Sequence, residues 1–77
     1  MDLKLVLTDI ARAIVDTPDS VTVTEEVNGD EVKLTLSVAE DDTGMVIGRH
    51  GKIANAIRSV MKAAANRDGK HVTVEIR

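Results

Sequence analysis

The stretch Val46-Ile47-Gly48-Arg49-His50-Gly51-Lys52-Ile53 sets the frame for the rest of the chain. Two glycines bracket Arg49 and His50, an apolar pair precedes them, and a helix-patterned run starts at the second glycine. From there Ile53, Ile57, Val60, Met61 and Ala64 recur on one face, with Lys52, Asn55, Ser59, Lys62 and Asn66 largely on the other. Upstream, Met45-Val46-Ile47 has room for only a short helix. Asp41 or Asp42 is placed to cap it, and the run Glu40-Asp41-Asp42 suits its positive N-terminal end. Gly48 to Gly51 is therefore expected to form a tight turn between two helices.

Downstream, Asp68-Gly69 ends the long helix, and His71-Val72-Thr73-Val74-Glu75-Ile76-Arg77 alternates as a strand does. Toward the N-terminus lie two further alternating runs, Val21-Thr22-Val23-Thr24 and Val32-Lys33-Leu34-Thr35-Leu36-Ser37-Val38. Asn28-Gly29 between them is a strong hairpin signal, since both residues tolerate the positive φ of a type I′ turn. A two-residue turn there sets Val23 opposite Leu34, Val21 opposite Leu36 and Thr22 opposite Thr35. Before the hairpin, Leu3, Val6, Leu7, Ile10 and Ile14 mark an amphipathic helix. Asp2 is its expected N-cap, and Pro18 disfavours helical geometry at Thr17, so it should stop near Val15 or Asp16.

The predicted order is helix, strand, strand, helix, helix, strand: an α+β fold in which two helices carry the chain from the second strand to a parallel third. Every strand has one apolar and one polar face, so the helices should cover one side of a three-stranded mixed sheet. Residues 1–77 form one domain by length, and no repeat or linker composition interrupts them. With no cysteine there is neither a disulfide nor a thiolate metal site. No apolar run approaches the ~18 residues of a membrane span, and an acidic start does not resemble a secretory signal, so a soluble cytoplasmic protein is expected.

Phe, Tyr and Trp are absent, which makes the core aliphatic and excludes base stacking on aromatic platforms. The net charge is −3 but unevenly spread. Residues 1–43 hold three basic and eleven acidic side chains, whereas residues 44–77 hold seven basic and two acidic ones. A polyanion responds to the local field, not to the total.

Catalytic chemistry finds no support. His50 and His71 lack partners at metal-ligand spacing. Glu40, Asp41 and Asp42 are explained by helix capping in solvent without an acid/base role. Gly51-Lys52 is followed by Ile53, and Gly44 stands at the wrong distance for a nucleotide-binding P-loop. No enzyme activity and no cofactor are expected.

Binding chemistry is better served. The start of the helix after Gly51 offers unsatisfied N–H groups and a positive dipole end to an anion. Arg49, Lys52 and, when protonated, His50 add charge there. Cations beside a helix N-terminus cost stability, so their placement points to an anion bound from outside.

The whole pattern, helix-strand-strand-helix-GxxG-helix-strand, resembles the type II KH domain, whose signature Val46 to Ile53 matches. It is similar above all to the small stand-alone bacterial KH proteins of the KhpA (YlqC) type. Leu3 to Ile14, Asp42-Thr43-Gly44, Val46-Ile47-Gly48, His50-Gly51, Ile53, Ala56-Ile57-Arg58 and the last strand carry the resemblance. Members often have a basic residue where this chain has Met45. The resemblance implies an αββααβ fold and a single-stranded RNA ligand whose backbone is clamped over about four nucleotides by the loop. It further implies contacts from Val46, Ile47, Gly48, Arg49, His50, Gly51 and Lys52, with Asn55 and Arg58 along the groove wall. A role in RNA-level regulation or as an RNA chaperone follows, as do self-association into a dimer and a larger KH partner of the KhpB (Jag) type. Two rival readings are a protein-interaction module whose loop no longer binds RNA, and a helix-turn-helix DNA binder using residues 45–66.

Overall fold

The computed structural model describes residues 1–77. The first helix, α1, runs from Leu3 to Ile14. Asp2 caps it as expected, its carboxylate accepting from the Leu5 N–H at 3.1 Å. The sheet comprises β1 (Thr22–Asn28), β2 (Glu31–Ser37) and β3 (His71–Ile76), in the order β1-β2-β3. The first pair is antiparallel and the second parallel. Two helices, α2 (Thr43–Ile47) and α3 (Lys52–Arg67), make the crossover. This is the αββααβ arrangement expected from the sequence.

The hairpin register differs from the expected one by two residues. Val23 faces Leu36, Thr24 faces Thr35 and Asn28 faces Glu31, so the two-residue turn is Gly29-Asp30, not Asn28-Gly29. Gly29 alone has positive φ, at 64°. That is the pattern of a type II′ turn, which needs a glycine-like conformation only at its first central residue. Asn28 can then stay extended and pair. A shift of two keeps every side chain on its own face, so apolar still meets apolar.

The core is aliphatic throughout. Leu7 and Ala11 of α1, Leu34 and Leu36 of β2, Val46 of α2, and Met61 and Ala65 of α3 are all fully enclosed. Along β2 the alternation is legible directly: Val32, Leu34 and Leu36 are buried while Glu31 and Lys33 are exposed. Helix α3 closes on Gly69, at φ 70°, with Lys70 N–H donating to Ala65 O and Gly69 N–H to Asn66 O, a Schellman cap.

Two further expectations need correction. Helix α3 is rotated from the face read off its apolar residues: it buries Ala54, Ile57, Met61 and Ala65, leaving Ile53 38% and Val60 51% exposed. Asp42 is not a solvated cap either. It is 2% exposed and makes no side-chain cap to α2. Its two carboxylate oxygens accept instead from the backbone N–H groups of Asp16, at 3.4 Å, and Thr17, at 3.0 Å. One aspartate thus ties the exit of α1 to the entrance of α2, satisfying donors that Pro18 prevents a continuing helix from using. Asp42→Ala should destabilise the protein by about 1.5–3 kcal/mol, the loss of part-buried hydrogen bonds to a charged group. Asp42→Asn, which keeps one acceptor oxygen, should cost less; urea titration compares the two.

Candidate nucleic-acid interface

The turn from α2 to α3 owes its shape to its residue types. Gly48 adopts φ 74°, ψ 174°, a conformation essentially confined to glycine. His50 follows at φ 58°, ψ 25° and Gly51 at φ 75°, ψ 14°, both left-handed. Histidine is among the few side-chain-bearing residues enriched there. The turn closes with the Gly51 N–H donating to Gly48 O at 3.2 Å. Gly48 also lies flat against Ile53: a Cβ added at position 48 would stand 2.9 Å from the Ile53 backbone nitrogen and closer still to its side chain.

Helix α3 therefore begins at a residue with no side chain, and nothing caps it. The Lys52 N–H donates to Arg49 O, and no side chain accepts from the first-turn N–H groups at the positive end of this helix of 16 residues. Arg49, His50 and Lys52 are exposed around that end, and none of them takes part in an ion pair. Backbone donors, dipole and free cations converge on one spot, an arrangement complementary to a phosphate diester.

The remaining expected site residues divide. Gly48 is half-buried and Ile47 is exposed beside the turn. Val46, expected at the interface, is 0% exposed. Its side chain belongs to the core, so it can hold α2 in place but cannot touch a ligand. Asn55 and Arg58 are exposed on α3, and they meet each other: Arg58 Nη1 donates to Asn55 Oδ1 at 3.4 Å. Arg58 Nε also donates to Val74 O at 3.3 Å, so the side chain spans from the helix to β3. That acceptor left no mark in the residue string, because a backbone carbonyl has no letter. It likewise did not single out Ile53 as the support beneath Gly48.

Beside the turn runs an apolar strip in which Ile10 and Ile14 of α1 meet Ile53, Ala56, Ile57 and Val60 of α3. Periodicity marked all of these except Ala56 as apolar-face residues, but did not separate those that face the core from those that face outward. No helix in the chain is long and apolar enough to cross a membrane.

Residues 4–76 match the family described as KhpA/KhpB, KH domain. The chain belongs to this family. Its KhpA relatives include the RNA-binding protein KhpA of Clostridium acetobutylicum, 49% identical over 96% of this chain and 99% of that one. The protein of the same name from Halalkalibacterium halodurans is 43% identical over 96% and 97%. That of Listeria monocytogenes is 35% identical over the same shares. These names describe binding proteins, not enzymes. Among solved structures, Aquifex aeolicus Era bound to GDP.AlF4- superposes with a TM-score of 0.64 at 21% identity, over 99% of this chain and 31% of Era. Era in complex with MgGDPNP and nucleotides 1506–1542 of 16S ribosomal RNA gives the same TM-score at 20% identity. At that identity the likeness is one of fold.

Proposed function

We propose that this KhpA/KhpB-family chain binds single-stranded RNA, gripping its sugar-phosphate backbone at Gly48–Gly51 and the first turn of α3. The observation that carries this is the left-handed turn that leaves α3 uncapped between two unpaired cations, Arg49 and Lys52. The KhpA relatives, named for RNA binding, point the same way. Binding should be weak: two or three phosphate contacts give a log–log salt slope of only about −1.5 to −2, at ~0.7 per contact. Titrating labelled single-stranded RNA and duplex DNA at several salt concentrations tests this. Preference for the duplex would favour the helix-turn-helix reading, against which α2 offers only five residues. Absence of binding to either would favour a protein-interaction module.

A weak module gains from being doubled, since a second linked site raises effective concentration. The strip of Ile10, Ile14, Ile53, Ala56 and Val60 supplies a surface for a second copy, entirely apolar and adjacent to the turn. Such a dimer, or a complex with a KhpB-type KH partner, would place two backbone grips side by side, a suitable device for post-transcriptional regulation or RNA chaperoning. Val60→Glu puts a charge into the strip at a position 51% exposed, so it should spare the fold and convert a dimer to a monomer. Light scattering on the isolated chain reads the mass directly; a monomeric parent would leave the strip to a different partner.

A further inference from the structure

Strand β3 is an edge strand, paired only with β2. The N–H groups of His71 and Arg77 point inward to Asp30 O and Leu36 O, each at 2.8 Å. By the alternation of a parallel ladder, the backbone groups of Val72, Val74 and Ile76 point outward to the free edge. Arg58 reaches across to this edge and donates Nε–H to Val74 O. Asn55 Oδ1 accepts from Nη1 of the same guanidinium, so the planar group is held at two points. Of five N–H donors, two are engaged and three remain, both of those on Nη2 among them. Neither of Arg58's contacts is to a carboxylate.

We infer that Arg58 is a base-reading residue, and that it favours bases presenting two adjacent acceptors. The inference rests on the RNA reading above. Arg58 lies seven residues along α3 from Gly51, about 10 Å at 1.5 Å per residue, within the span of the ~four nucleotides a KH loop holds. A fixed planar donor set pairs bidentately with two neighbouring acceptors, as arginine does with guanine O6 and N7. Cytosine offers such a pair in O2 and N3. Uracil does not, because its N3–H separates O4 from O2, and adenine does not, because its ring acceptors N1 and N7 flank an amino donor. In a chain without Phe, Tyr or Trp, this donor set is a polar feature of the groove tied to both α3 and β3.

Oligomers of about twelve cytidines or uridines test the idea, because both are weakly stacking pyrimidines that differ mainly in this donor–acceptor pattern. Fluorescence anisotropy at low salt should show the parent preferring oligo(C) over oligo(U) by roughly fivefold or more, the lower range of one mispaired base contact. Arg58→Lys keeps the charge but not the planar fork, so it should retain the salt slope while bringing the oligo(C)-to-oligo(U) ratio close to one. Arg58→Ala should also flatten the ratio. Equal affinity of the parent for the two oligomers, or a preference that survives Arg58→Lys, overturns the assignment while leaving backbone binding intact. Failure of the parent to bind either oligomer overturns the RNA reading itself, and this inference with it.

Discussion

The double variant Arg49→Asp, His50→Asp is expected to fold as the parent does and to lose single-stranded RNA affinity by roughly 10- to 100-fold. A hydrogen bond to a charged group contributes about 1.5–3 kcal/mol, and about 1.4 kcal/mol corresponds to a factor of ten. The substitution removes one fixed cation and the imidazole, and sets two carboxylates beside the same helix end. Folding should survive because both positions are exposed and neither side chain makes an ion pair. At position 50 the backbone is left-handed, a conformation aspartate adopts about as readily as histidine. Two carboxylates near the start of α3 are also favourable to the helix dipole, so the melting temperature should not fall. Salt titration adds a second readout: the variant's residual binding should depend on salt less steeply than the parent's. Unchanged affinity in a folded variant would remove the turn from the binding site.

Gly48→Ala is expected to act on the fold itself. Alanine at φ 74°, ψ 174° carries a backbone penalty of about 1–3 kcal/mol. Its Cβ would also press on Ile53, including a backbone nitrogen that cannot move without shifting the first turn of α3. Together these should destabilise the protein by about 2–4 kcal/mol, using the usual cost of overpacking for the second term. For a chain of this size that lowers the melting temperature by roughly 10–25 °C. Gly51→Ala is the control. It is left-handed but has nothing nearer than 4.0 Å to its added Cβ, so only the conformational penalty of about 1–2 kcal/mol applies. Similar melting temperatures for the two variants would show that Ile53 gives way and that Gly48 is not a structural requirement.

The contrast between these glycines shows which parts of the site were legible in the sequence. That both would sit in a sharp turn followed from their spacing and from the helical pattern starting at Gly51. That position 48 is the stricter one did not, because it depends on where Ile53 lands. The hairpin shows the same limit: parity fixes which residues face the core, but a shift of two residues preserves parity, so turn chemistry alone had to choose the register. Helix α3 presented a stripe wider than the core could use, and only packing against β3 and α1 decided that Ile53 and Val60 stay outside. Asp42 was misread because its partners, the N–H groups of Asp16 and Thr17, lie far away in sequence. Composition argues against burying a carboxylate, and backbone donors leave no trace in the residue string.

Ile53 has two neighbours of different kinds. It underlies Gly48, and it is part of the apolar strip between α1 and α3. If a second copy covers that strip, occupancy of the turn and association of the copies become thermodynamically linked through one side chain. Linkage is reciprocal: whatever factor pairing adds to RNA affinity, RNA must add to pairing. Assembly state would then report how much RNA is bound, and the dissociation constant measured for one event would depend on the concentration of the other.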